Sequence, residues 1–187
     1  VNLALYSAFA GDFQTAEREA SAALALGMEK WGLLVLGRAQ FGQGRLTEAE
    51  DTFAKLERID PAAGAISKAA LAAYEGRFKD AIAICWRIAQ SRGGETAEQG
   101  WALALRAYLH QLQRNPEAAL DAAQRALDAT DDPDVRLKAA TVCAQVGAAD
   151  RARDVARLLA ESQGDKSEAF SALVEAEILL YSGATRE

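Results

Sequence analysis

A glycine followed five residues later by an alanine returns three times at nearly constant spacing. It occurs in AGDFQTAEREASAAL from Ala10, in QGRLTEAEDTFAKL from Gln43 and in EGRFKDAIAICWRI from Glu75. Each segment reads glycine, polar, large apolar, two polar residues, alanine. Gly11, Gly44 and Gly76 lie 33 and 32 residues apart, and Ala16, Ala49 and Ala81 keep those intervals. A recurrence of this kind is tested for before any other pattern, because it decides the architecture. Two helices joined by short turns consume about 34 residues. The glycine ends the first helix, where a positive φ is needed. The alanine lets the second helix approach the first, and a larger side chain there would cost about 1–3 kcal/mol in overpacking.

Composition agrees with helices throughout. Half of the 187 residues are hydrophobic but only 7% are aromatic, and there are three prolines. Alanine and leucine carry the apolar content, and both are strong helix formers. Valine, isoleucine and threonine never alternate in runs, so strands are not expected.

The pattern continues more loosely. Gly147 precedes Ala152, and Gly183 follows the last apolar run. In the fourth unit Arg114-Asn115-Pro116 replaces the glycine, with Asn115 expected in the left-handed conformation and Pro116 opening the next helix. Ala119, Ala123 and Ala126 keep register there, but 38 residues separate Ala81 from Ala119. The extra length is placed at Ser91 to Thr96, which includes adjacent glycines. These intervals divide the chain into units of about 1–28, 29–61, 62–94, 95–132, 133–164 and a partial 165–187.

The stretch from Trp31 to Pro61 carries Leu36-Gly37, Gly44, Leu46, Ala49, Phe53 and Pro61. In this series it resembles the tetratricopeptide repeat family. The resemblance implies an all-α fold, a right-handed superhelical solenoid of antiparallel helix pairs, with no catalytic machinery and no cofactor. It implies a module that binds a protein or peptide in the groove lined by its first helices. By register the ligand-reading positions are Trp31, Leu34, Arg38 and Phe41 in the second unit and Ile66 and Tyr74 in the third. They continue as Trp101, Ala104 and Tyr108 in the fourth and as Phe170, Leu173, Glu177 and Tyr181 in the last. Tryptophan, tyrosine and arginine dominate interface energetics, which suits an extended or helical peptide. The same aromatics can instead pack between helices or against a neighbouring copy. One subclass of the family grips a chaperone tail's carboxylate with lysine and asparagine. Here apolar residues and alanine stand at those positions, with Arg38 the one strong cation of its unit, so that ligand is disfavoured.

A second likeness concerns LAAYEGRFKDAI and EAFSALVEAEILLYSG, which are similar to repeat regions of large bacterial signalling proteins, including eukaryote-like serine/threonine kinases. It implies a regulatory segment of a larger protein, itself without kinase motifs. Solenoids usually carry polar capping helices. None is visible at either end, so further repeats are expected on both sides. Self-association through uncapped terminal helices is a third use of such a chain.

Other chemistries find little support. A net charge of −6 gives no footprint for nucleic acid. The longest apolar run, Trp31 to Gly37, is broken by Arg38, far short of a membrane span. With no leader pattern visible, the cytoplasm is the expected compartment. Cys85 and Cys143 read as core thiols. The single histidine, His110, lacks companions for a metal or a nucleophile and reads as structural. Asp131-Asp132-Pro133-Asp134 lacks the glycine and distal glutamate of a calcium loop, so Asp132 or Asp134 is expected as a helix cap. Gly93-Gly94 is not followed by a phosphate-loop lysine. The acidic residues of TEAED and AEREA are placed on solvated helix faces.

Overall fold

A computed structural model describes residues 2–91, 96–162 and 167–183. Among these residues it contains eleven α-helices and no strand. The first helices of the repeated units are α1 (Asn2–Phe9), α3 (Glu29–Gly42), α5 (Pro61–Tyr74), α7 (Thr96–Leu112), α9 (Pro133–Gln145) and α11 (Ser167–Tyr181). Their second helices are α2 (Phe13–Ala25), α4 (Leu46–Ile59), α6 (Phe78–Ala89), α8 (Pro116–Ala129) and α10 (Ala149–Glu161). The enlarged turn expected at Ser91 to Thr96 falls mainly on residues 92–95, outside the described residues.

Local chemistry sets the boundaries. Gly11, Gly44, Gly76, Gly147 and Gly183 all have φ between 72° and 85°, in the left-handed region. After the turn residue, the next backbone N–H reaches back to the carbonyl five positions earlier. Arg45 donates to Gln40 at 2.9 Å, Arg77 to Ala72 at 2.8 Å and Ala148 to Cys143 at 2.8 Å. This bond satisfies a carbonyl that the helix end would otherwise orphan.

In the fourth unit the expectation for Asn115 is wrong by one residue. Arg114 is left-handed, with φ of 56°, and Asn115 is not, with φ of −108°. Asn115 instead sits at the N-cap, where its side-chain oxygen accepts from the Ala118 N–H at 3.2 Å. Two demands compete for asparagine here, and the cap wins because only a side-chain acceptor satisfies the N–H groups opening α8. All three prolines, Pro61, Pro116 and Pro133, stand in the first turn of a helix behind a capping side chain. Asp132 caps α9 by accepting from the Asp134 and Val135 N–H groups.

The chain divides into two compact units, Val1–Ile84 and Cys85–Glu187. In the first, each of α1 to α4 packs on the next helix, and α3 also touches α1 and α5. Its core holds Ala4, Ala16, Ala20, Val35 and Ala39, then Leu33, Leu34, Ala49, Phe53 and Leu56. A buried polar pair joins α3 to α4, Thr52 Oγ1 donating to Gln40 Oε1 at 2.7 Å. In the second unit α7 to α11 pack in sequence, and α9 also lies against α7 and α11. One continuous core runs there from Leu103 to Ile178. Sequential neighbour packing of this kind is that of a helical repeat.

Counting from the turn residue exposes the design. Five positions after it stand Ala16, Ala49, Ala81, Ala119 and Ala152, all with no exposed surface. Seven positions before it stand Ala4, Gly37, Ala69, Ala107 and Ala140, all buried. Facing rows of minimal side chains let helix pairs close tightly. At Gly37 the approach is closest, since an added Cβ would come within 2.3 Å of the Phe53 ring and that ring would have to shift.

Candidate functional site

Helical periodicity puts residues thirteen, six and two positions before each turn residue on one side of a first helix. In the first unit this row holds Trp31 and Arg38 of α3 and Tyr74 of α5, all exposed. The Lys30 ammonium lies 5.7 Å from the centroid of the Trp31 ring. Phe41 is half-buried and meets Tyr74 edge to face, with ring centroids 4.9 Å apart. Arg38 reaches solvent, yet the protein around it desolvates the guanidinium and pushes its pKa down. Arginine stays charged under such a shift.

The row in the second unit holds Trp101, Tyr108, Phe170, Glu177 and Tyr181. Trp101 and Phe170 are half-buried and pack on the core. Tyr108 and Tyr181 are exposed. The Lys138 ammonium of α9 stands 5.6 Å from the Tyr108 ring, and burial pushes its pKa down. Gln145 Nε2 donates to Glu177 Oε2 at 3.4 Å, so α9 and α11 are tied along the same side. Each unit therefore presents exposed aromatic rings on one side of its first helices, with Lys30 at Trp31 in the first and the desolvated Lys138 at Tyr108 in the second, a surface suited to an aromatic or acidic group of a ligand.

Other expected positions lie elsewhere. Leu34 is buried among Leu33, Ala49, Phe53 and Leu56, and Ala104 has no exposed surface. Ile66 is half-buried. All three stand ten positions before the turn residue. Four residues along a helix advance 400°, so this position lies about 40° around the helix from the one six before the turn. Leu34 there belongs to the core shared with Ala49, Phe53 and Leu56 of its own second helix, against which Ala63 of α5 also packs. Leu173 at the same position of α11 is exposed.

Three contributors were not singled out from the sequence: Phe9, Leu112 and Lys138. Phe9 and Leu112 occupy the position two before the turn residue, the place Tyr74 and Tyr181 also hold, and both are exposed. Recurrence of large apolar residues at that one position is the signal that would have found them. Lys138 has no such signal, because its partner Tyr108 is a whole repeat away.

His110 lies on α7 near a cluster around Trp86. The guanidinium carbons of Arg106 and Arg125 each stand 4.6 Å from the Trp86 ring centroid. Both ring nitrogens of His110 are buried without a hydrogen-bond partner among the described residues. Burial, then the Arg106 charge, pushes its pKa down, so the imidazole is neutral at pH 7. Cys85 and Cys143 are free and buried, and burial pushes the Cys85 thiol up to about 12. Among the described residues no three His, Cys, Asp or Glu side chains come together as a metal site would need, and no helix is long and apolar enough to cross a membrane. Compared with family models, with curated proteins and with solved structures, the chain finds no match.

Proposed function

We propose that the chain is a tetratricopeptide-like, right-handed superhelical solenoid that binds a segment of another protein along the inner side of its first helices and performs no catalysis. The observation that carries this reading is the exposed row at fixed distances from each turn residue, with Trp31, Arg38 and Tyr74 in one unit and Tyr108 and Tyr181 in the other, where the half-buried Lys138 stands beside Tyr108. Aromatic residues and cations gathered on one side of a helix row are the residue types that dominate interfaces. The cations favour a ligand carrying carboxylates among apolar anchors. Two unpaired cysteines suit the reducing cytoplasm.

Selection of displayed random peptides on the immobilised chain tests this reading. Enriched peptides should carry acidic residues flanking aromatic or aliphatic ones. Their affinity should fall about tenfold or more, a typical hot-spot loss, in Tyr74→Ala, Arg38→Ala or Tyr108→Ala, with helicity by circular dichroism retained. Failure to enrich any sequence, or enriched peptides indifferent to all three substitutions, would refute it.

A further inference from the structure

Two arginines of the second unit share one tryptophan ring. The guanidinium carbons of Arg106 in α7 and Arg125 in α8 each lie 4.6 Å from the Trp86 centroid. Like charges this close repel, and burial, then the Arg125 charge, pushes the Arg106 pKa down. Arg106 Nε and Nη1 are buried, and neither finds an acceptor among the described residues. Both His110 nitrogens, one helical turn along α7, are buried in the same state. Asp121 acts on Arg106 and His110 through its charge alone, without a hydrogen bond to either. Buried charges are ordinarily paired, and a buried donor without an acceptor costs stability.

This cluster faces away from the inner row. Arg106 and His110 stand two residues before and two after Tyr108, and two residues turn a helix by about 200°. The preceding repeat shows what the arginine position ordinarily meets. Eight residues before the turn residue stand Lys68 in α5 and Arg106 in α7. Lys68 Nζ donates to Glu57 Oε2 of α4 at 3.1 Å. Glu57 stands thirteen residues after its turn glycine, Gly44, and thirteen after Gly76 stands Ala89, three residues beyond Trp86. One repeat thus meets its cation with a carboxylate from the helix before it. The next keeps the cation, adds a second beside it, and carries a methyl group where register places the carboxylate.

We propose that Arg106 and Arg125 form a binding site for a carboxylate that a ligand supplies, from a free organic acid or from an acidic side chain of another protein. A guanidinium offers a carboxylate two parallel N–H donors, and two guanidiniums offset the cost of bringing the anion out of water. Trp86 holds both at one ring by cation–π attraction. His110, neutral, keeps one N–H to donate. The half-buried setting strengthens each of these bonds relative to water. The site is independent of the inner row, and none of Trp31, Arg38, Tyr74 and Tyr108 takes part in it.

His110 is the only histidine, so its ring protons give a single resolved NMR reporter in the full chain. At neutral pH, with chloride making up a constant ionic strength, acetate should displace that signal saturably. Arg106→Gln and Arg125→Gln should each raise the dissociation constant about tenfold or more, the weight of one charge-assisted hydrogen bond. Ala89→Glu should supply the carboxylate from within the chain, raising the denaturation midpoint and removing the response to acetate, whereas Ala89→Gln should do neither. A glutamate blocked at both backbone ends that binds more tightly than acetate assigns the carboxylate to a protein side chain, the reverse order assigns it to a free acid, and either supports the site. The proposal is overturned by the absence of saturable displacement, by equal displacement in both arginine variants, or by displacement with inorganic phosphate and with neither carboxylate. An Ala89→Glu chain that folds and still responds as wild type overturns it as well.

Discussion

The rings of Phe41 and Tyr74 meet at 88°, their centroids 4.9 Å apart, joining the ends of α3 and α5. Edge-to-face pairs are worth about 0.5–1.5 kcal/mol beyond the area they bury. Tyr74→Ala should therefore lower unfolding stability by about that amount in urea titration, because the ring is 67% exposed and little burial is lost with it. Tyr74→Phe should be neutral. A loss in Tyr74→Ala typical of a buried aromatic would show that the ring holds the fold and is not free for a ligand.

Gly64 on α5 faces the backbone of α4. A Cβ there would lie 2.4 Å from both Glu57 Cα and Glu57 N. Backbone atoms cannot yield as a side chain can, so Gly64→Ala should destabilise by about 1–3 kcal/mol although alanine is the better helix former. Gly44→Ala should cost about 1–2 kcal/mol for a different reason: nothing lies near its Cβ position, but φ is 75°. Thermal melts of both variants check the pair, and a stabilised Gly64→Ala would contradict the close approach of α4 and α5.

Arg114 holds a conformation that glycine takes in the other repeats, with φ of 56°. Left-handed geometry costs a residue with a Cβ about 1–2 kcal/mol, against which glycine loses about 0.5–1 kcal/mol of chain entropy. Arg114→Gly should stabilise the second unit by about 0.5–1 kcal/mol, read as a raised denaturation midpoint. An unchanged or lowered midpoint would mean that the arginine side chain compensates.

Asp60 caps α5 and accepts from Lys30 at 2.5 Å. Burial alone would raise its pKa, but the Lys30 ammonium and the Ala63 N–H together outweigh burial and hold it below the usual carboxylate range. A folded pKa depressed in this way adds stability above the unfolded value of about 3.9 and loses it as pH falls through the folded value. The stability difference between wild type and Asp60→Asn should thus be constant near neutrality and shrink steadily once pH drops below about 4. A difference independent of pH down to acid unfolding would show that the charge contributes nothing.

The turn glycines, Pro116 at the start of α8 and the alanine five residues after each turn were legible in the sequence because each depends on neighbours within one turn or one hairpin. Asn115 was misread because asparagine suits both a left-handed residue and an N-cap, and only the next repeat's register separates the two. Leu34 and Ala104 were placed with the inner row because spacing of three and four residues cannot resolve a 40° rotation once a neighbouring hairpin covers one edge of the helix. Lys138 was missed for a related reason: its contact with Tyr108 exists only after two repeats have stacked. The division within α6, between Ile84 and Cys85, leaves no mark in composition or periodicity.

The alanine rows also govern how this chain can change. Most core sites can drift in either direction, losing a methylene here and gaining one there. Where α7, α8, α9 and α10 meet, much of the buried surface is already alanine: Ala107, Ala119, Ala122, Ala123, Ala126, Ala139, Ala140, Ala152 and Ala156. Nothing smaller than alanine remains except glycine, which weakens the helix itself. Substitution in this region can proceed only toward greater volume, so its sequence history should be recorded as paired shifts of helix position and not as exchanges of side-chain size.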